Sequence, residues 1–248
     1  MTRNILVAVP NYSGSLKGEM ADSLLQAQAE AMTAGWGFDV KRLTGGYHHF
    51  ARNTLMGAFH AEKRYTDLVW WDDDVAITPG AFVPFVEHDV DFVCAAYRHK
   101  RDDMSYPGEP APVEQRKMHT SASTGTPLFN TLYWVIGLSR QTRACVDKML
   151  ADPSIEWDFD DLTKVDVPYV FTEERLAIMP NGKKGRLTED YIYCRRWIDQ
   201  CGEVWLDPMM MTGHAGNQCW WGRIADLFAQ QVEQHRLSEA MKKMGAAA

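Results

Sequence analysis

The sequence predicts an α/β protein built on one open, mostly parallel twisted sheet flanked by helices. Three observations carry this. The run Asn4–Val9 is apolar without a polar alternate face, as in a strand covered on both sides. A turn, a helical pattern and a second strand follow it, the order that opens a doubly wound sheet. Similar apolar runs recur at 68–71, 91–97 and 128–138, each separated from the next by a helical or irregular stretch.

Taken in order, Pro10–Ser15 is a turn at the carboxyl end of the first strand, where ligands of open α/β sheets sit. It lacks a G-x-G-x-x-G pattern, which speaks against a dinucleotide site. Residues 17–33 read as a helix with Met20, Leu24, Ala27 and Ala31 on one face, stopped by Gly35 and Gly37. Residues 38–43 form the second strand and 44–50 a loop. A helix is expected from Ala51 to about Arg64. His48 and His49 have no spaced partner and read as ordinary loop histidines. Arg52 falls at the expected helix start, where the dipole disfavours a cation. That placement implies a fixed anionic or carbonyl partner such as a nucleotide, or a surface ion pair. After the acidic stretch taken up below, Thr78–Gly80 is a turn leading into a short helix to about Glu87.

Beyond the strand at 91–97 lies the cationic cluster Arg98–Arg101, suited to phosphates or an acidic acceptor, or simply solvated. Residues 102–127 show no periodicity and read as a long loop. Residues 128–138 are a strand, Ser139 a plausible N-cap for a helix through Leu150, and 152–172 an irregular excursion. Asn181–Arg186 is a basic, glycine-rich loop. Thr188, Glu189 and Asp190 open a helix through about Gln200, where acidic groups suit the dipole. A short strand at 204–206 and an extended piece at 209–216 with one histidine, His214, follow. From Trp220 to Met244 the pattern is amphipathic, with Trp221, Ile224, Phe228 and Val232 on one face expected to pack on the core.

Composition narrows the classes. The 248 residues, 46% hydrophobic, allow one large domain. We expect a catalytic domain over 1–217 and an amphipathic helix within 218–248 packed on it. A net charge of −7 leaves room for a nucleic-acid partner only through a local basic patch. No run of about 18 apolar residues suggests a membrane span. The first apolar run reads as a strand rather than a secretory signal. Five cysteines without a C-x-x-C pair fit free thiols in a reducing cytoplasm.

The chemistry points to Leu68–Val75, an apolar run that closes in Asp72, Asp73 and Asp74. Adjacent carboxylates repel and resist leaving water. A hard divalent cation, Mg²⁺ or Mn²⁺, resolves the conflict and leaves room for phosphate. Strand alternation would place Asp72 and Asp74 on one side and Asp73 on the other. The alternative is a solvated acidic turn.

The order of an N-terminal parallel unit, an acidic strand end, the pair Glu189–Asp190 and then Gly213–His214 resembles the GT-A fold of nucleotide-sugar glycosyltransferases, especially small family-two-like bacterial and phage enzymes. The resemblance covers about Asn4 to Gly216. It implies a Rossmann-like sheet, an Mn²⁺ or Mg²⁺ ion, and a UDP-sugar donor, UDP-glucose first among candidates. By the same resemblance Asp72 meets the ribose and the metal, Asp74 and His214 hold the metal, and Asp73 assists at the donor sugar. Asp190 is the general base of an inverting transfer, oriented by Glu189. Pro10, Asn11 and Tyr12 hold the base and ribose, with Tyr12 free to stack, and Arg52 lies near the uracil or diphosphate. The Q-x-x-R-W signature and membrane helices of processive synthases are absent, which implies single transfer.

Basic or aromatic stretches at Arg98–Arg101, Lys183–Arg186 and Trp220–Arg223 adjoin these motifs and suit a nucleic-acid acceptor. A 5-hydroxymethylpyrimidine in DNA is the leading acceptor, a saccharide or protein hydroxyl the other. A metal-dependent nucleotidyltransferase or phosphohydrolase, and a non-catalytic sugar-nucleotide binder, are the rival classes.

Overall fold

The computed structural model describes residues 2–172, 175–178 and 184–245. In chain order the elements are β1 (Asn4–Asn11), α1 (Gly18–Thr33), β2 (Gly37–Thr44), α2 (His48–Ala61), β3 (Asp67–Trp71), β4 (Val75–Ile77), α3 (Phe82–Glu87) and β5 (Phe92–Ala95). Then come β6 (Glu109–Pro110), β7 (Met118–Thr120), β8 (Pro127–Tyr133), β9 (Leu138–Thr142), α4 (Arg143–Leu150), β10 (Trp157–Asp160) and β11 (Val165–Pro168). The last are β12 (Arg175–Ile178), β13 (Lys184–Leu187), α5 (Glu189–Asp199), β14 (Val204–Asp207), β15 (Thr212–Ala215), β16 (Cys219–Gly222) and α6 (Ile224–Gly245).

Among the described residues the main sheet runs β2-β1-β3-β9-β5-β14-β8-β6, with β7 also on β8. All its strands except β8 and β9 point the same way. The architecture is therefore the one expected, an open, mostly parallel α/β sheet flanked by helices. Alternation along β1 explains why its sequence shows no polar face. Leu6 and Ala8 pack with Leu55, Met56 and Phe59 of α2, while Ile5, Val7 and Val9 pack with Met20, Ala27 and Ala31 of α1. Each face of the strand has its own helix layer, so every residue after Asn4 is buried.

Several expectations shift. The helix expected from Ala51 begins at His48, after extended Tyr47, which puts Arg52 in its second turn. The run 128–138 is broken between β8 and β9. Ser139 is a buried strand residue, and Thr142 caps α4 by accepting from the Cys145 backbone N–H at 3.1 Å. The stretch 102–127 contains β6, a 3-10 turn at Val113–Gln115 and β7, which lean on β8. The excursion at 152–172 holds the β10–β11 hairpin, laid on α2. Of the basic loop at 181–186, residues 181–183 lie outside the described residues, while 184–186 belong to β13, paired with β12.

At the C-terminus Trp221 belongs to β16, not to the helix, and a strand cannot continue a helical face. Ile224, Leu227 and Phe228 pack on the core, whereas Val232 is 59% exposed. No helix among the described residues is long and apolar enough to cross a membrane.

Gly57 of α2 sits where a Cβ would strike the Asp166 carbonyl and lie 3.4 Å from the Val167 Cα of β11. Backbone cannot swing aside as a side chain can, so Gly57→Ala is expected to destabilise by about 1–3 kcal/mol in urea denaturation, through overpacking.

Candidate active site

The acidic residues form a turn, not a strand end. Strand β3 stops at Trp71, so the alternation that would put Asp72 and Asp74 on one side does not operate. Four backbone bonds pin the turn instead. Asp72 N donates to Gly137 O at 2.7 Å and Val75 N to Asp72 O at 3.2 Å. Lys17 N reaches Asp73 O at 3.0 Å and Ala215 N reaches Asp74 O at 2.7 Å. The Trp71 indole donates to Val75 O at 2.7 Å across the same turn. Gly137 is required beside it, because a Cβ there would strike both the Asp72 carboxylate and the Tyr97 hydroxyl.

The three side chains part company. Asp74 Oδ1 lies 3.5 Å from His214 Nε2. Antiparallel pairing of β15 with β4, which sets His214 opposite Val75, makes that contact. The His214 Nδ1–H donates to the Arg98 carbonyl at 2.7 Å, which leaves Nε2 as the nitrogen facing Asp74. This is the carbonyl-oriented imidazole beside a carboxylate that suits a divalent ion. Asp72 does not join them. It turns to Arg52, and among the described residues no group of three His, Cys, Asp or Glu side chains is gathered as a metal cage. A hard cation that keeps waters and substrate phosphates needs only one or two protein ligands, so Asp74 and His214 still fit it.

Arg52 is the hub. It is 2% exposed and donates through Nη2 to Asp72 Oδ1 at 3.0 Å and through Nη1 to Asp190 Oδ1, with Glu189 Oε1 3.5 Å from Nη1. Its guanidinium carbon lies 5.7 Å from the Phe171 ring centroid. Phe171 is fixed by Asn53, which exchanges two 2.8 Å bonds with its backbone. Asp190 and Glu189 open α5, as expected, and Thr188 precedes them at the N-cap without a side-chain capping bond. Arg52 was expected to face a fixed anionic or carbonyl partner such as a nucleotide, or a surface ion pair. Its anionic partners within the fold are buried and half-buried carboxylates, so it ties the acidic turn to α5 from behind.

A cleft of about 530 Å³ opens in front, lined by Tyr12, Ser13, Ser15, Lys17, His48, Asp72–Asp74, Tyr97 and His214. Pro10 and Asn11 are buried beneath it. Asn11 shapes the loop, accepting from Gly14 N at 2.5 Å and donating to Ser15 O at 3.0 Å. Tyr12 is 67% exposed and stacks on His48, centroids 6.4 Å apart. His48, read from sequence as an ordinary loop histidine, is thus a wall of the cleft, as are Lys17 and Tyr97. Lys100, from the cationic cluster, bonds Asp74 Oδ2. A second cavity of about 660 Å³ opens at the amino-terminal ends of the parallel strands, by Arg3, Asp91 and Arg140, and carries none of these motifs.

The electrostatics separate the acids. Burial pushes the Asp73 carboxyl up, reinforced by Asp74 and Asp72. Burial also works to raise Asp74, but the neighbouring His214 imidazole and Lys100 ammonium outweigh it and hold Asp74 low. Burial, and then the Asp72 charge, keep the Tyr97 phenol well above its usual range, so it stays neutral beside the acidic turn.

No protein-family model matches the chain, and no curated protein matches it. Among solved structures it is similar to A197 from STIV, at 15% identity and a TM-score of 0.50, over 87% of this chain and 86% of that one. That likeness shows the fold alone. Two further structures overlap less well. A glycosyltransferase involved in glycosylation of the major capsid of PBCV-1 gives 11% identity and a TM-score of 0.33, over 58% of this chain and 62% of that one. GalNAc-T7, solved with UDP, GalNAc and Mn²⁺, gives 13% identity and a TM-score of 0.46, over 86% of this chain and 44% of that one. The functional reading below rests on the site itself.

Two outcomes are expected. Arg52→Met leaves three carboxylates around a buried gap and should cost about 3–5 kcal/mol in urea denaturation; Arg52→Lys, which keeps charge but not the fork, should cost less. Asp73→Asn removes a group whose ionised form the fold disfavours. It should raise Tm at pH 7 by about 1–2 °C, the gain fading as pH falls through the raised pKa towards 3.8.

Proposed function

We propose that this protein is a metal-dependent glycosyltransferase of GT-A type that moves a sugar, with inversion, from a nucleotide donor to a hydroxyl acceptor. The donor we propose is a UDP-sugar, UDP-glucose first, and the ion Mn²⁺ or Mg²⁺. One observation carries the reading. The Asp74–His214 pair and the Glu189–Asp190 pair, drawn from separate parts of the chain, are joined through Asp72 and Arg52 at the carboxyl ends of the parallel strands.

Each residue then has a task. Asp74 and His214 hold the ion. A bound divalent ion supplies Lewis-acid neutralisation of the departing diphosphate. Asp190 accepts the proton of the acceptor hydroxyl while that oxygen bonds the anomeric carbon and the bond to the diphosphate oxygen breaks. Arg52 fixes Asp190 and Asp72 in one frame, and Glu189 shares its charge. Asp72 faces the ribose and Asp73 the donor sugar. Exposed Tyr12, backed by His48, offers the base a stacking surface. Buried Pro10 and Asn11 shape the loop that presents it.

For the acceptor, a 5-hydroxymethylpyrimidine in DNA, flipped from the stack, is the first case to test. Exposed Trp221 and Lys184 favour it. A saccharide or protein hydroxyl is the second, favoured by a specific observation: the basic stretches are largely occupied within the fold. Arg98 bonds the carbonyls of Trp221, Arg101, Asp102 and Asp103, Arg101 pairs with Asp103, and Arg223 pairs with Asp226.

The test is nucleoside diphosphate release from a panel of nucleotide sugars with Mn²⁺, with and without hydroxymethylated DNA or oligosaccharide. Release from a sugar nucleotide is expected, lowered about 10²–10⁴-fold by Asp190→Asn. His214→Ala should weaken metal activation about 10–100-fold. Cleavage of a plain nucleoside triphosphate, with no release from any sugar nucleotide, would move the site to nucleotidyl transfer or phosphohydrolysis.

A further inference from the structure

The segment that follows β5 touches both members of the proposed ion pair. The Arg98 carbonyl holds His214 by its Nδ1–H, and two residues on the Lys100 ammonium bonds Asp74 Oδ2. Asp74 is thus divided, with Oδ1 turned to the imidazole and Oδ2 to a lysine. The segment is braced independently of either contact. The Arg98 guanidinium bonds four backbone carbonyls, and His99 N donates to Ser105 O at 2.9 Å. The lysine stem is guided too: a Cβ on Gly216 would lie 3.3 Å from Lys100 Cδ and 2.9 Å from the Trp220 ring. The side chain is 35% exposed, so the ammonium can leave Asp74 without unfolding its surroundings.

From this geometry we infer that Lys100 is a tethered counter-ion of the donor site, neutralising Asp74 until a divalent cation takes that carboxylate and then turning to the donor's diphosphate. The inference rests on the proposed metal and nucleotide site and adds to it a residue that the acidic motif does not include. A monovalent ammonium and a divalent ion compete for one carboxylate, so the lysine sets a threshold on ion binding. The threshold is modest, because a partly exposed pair contributes only about 1 kcal/mol or less. Once displaced, an ammonium beside the cleft is a point charge suited to phosphate oxygens. The same residue therefore opposes the bare ion and favours the ion together with nucleotide.

The test measures binding, not turnover. Mn²⁺ affinity is followed by the electron paramagnetic resonance of the free ion, and UDP affinity by calorimetry, each for the full chain, Lys100→Met, Lys100→Arg and Asp74→Asn. Lys100→Met should bind Mn²⁺ alone about fivefold more tightly and, with Mn²⁺ saturating, bind UDP more weakly. Lys100→Arg should restore UDP binding. If the unaltered chain binds no Mn²⁺, or if Asp74→Asn binds it equally well, the metal site itself is wrong. If Asp74 governs Mn²⁺ binding but Lys100→Met changes neither affinity, the site stands and the role of Lys100 is overturned. Weaker UDP binding with unchanged Mn²⁺ affinity would overturn the competition as well.

Discussion

The buried guanidinium of Arg52 is the interaction on which the site depends. A cation 2% exposed in an α/β core is costly unless its charge and donors are met. Here the charge and the two terminal nitrogens are met by carboxylates from two distant places, Asp72 after β3 and Glu189–Asp190 at the start of α5. Each of those acids would itself be expensive to bury alone. The charges make one another tolerable, and the resulting network fixes the distance between the two acidic motifs. Packing on Phe171, itself held by Asn53, prevents the guanidinium from drifting. Positioning of this sort is what acid–base chemistry needs, since a misplaced proton acceptor loses most of its advantage.

A second constraint acts at the acidic turn. Three neighbouring acids are accommodated because their backbones are bonded to three remote parts of the chain, at Lys17, Gly137 and Ala215, and their side chains are sent to different partners. Asp72 goes to an arginine, Asp74 to a lysine and a histidine, and Asp73 is left facing the cleft. The raised Asp73 and the lowered Asp74 follow directly, although both are partly buried and share neighbours. What separates them is who donates to them. A small three-stranded sheet, β16-β15-β4, makes the separation possible, because it carries His214 to the turn.

Much of this was legible in the chain. The β1-α1-β2 unit, the apolar strand ending in acids, and Glu189–Asp190 at a helix start all show in local pattern, since burial on both faces and helix-terminal preference leave marks on neighbouring residues. Arg52 stood out as a cation in an unfavourable place, although its partner proved to be a pair of acidic motifs. His48 and Lys100 were harder. A histidine beside a second histidine in a glycine-rich loop, and a lysine in a basic cluster, carry no mark that distinguishes a cleft wall from a solvated surface.

The sequence by itself determined the class of the sheet, the helices that cover it and the residue types available for metal, nucleotide and proton chemistry, because each is written in periodicity or in short motifs. Tertiary structure alone decided which of those groups meet. Asp72 was sent to Arg52 rather than to Asp74, and His214 was brought to Asp74 by pairing opposite Val75 of β4, far earlier in the chain. Trp221 was drawn into a strand where an amphipathic helix had been expected. Such choices depend on pairing between segments remote in the chain, and the free energy of those contacts has no trace in the local order of residues.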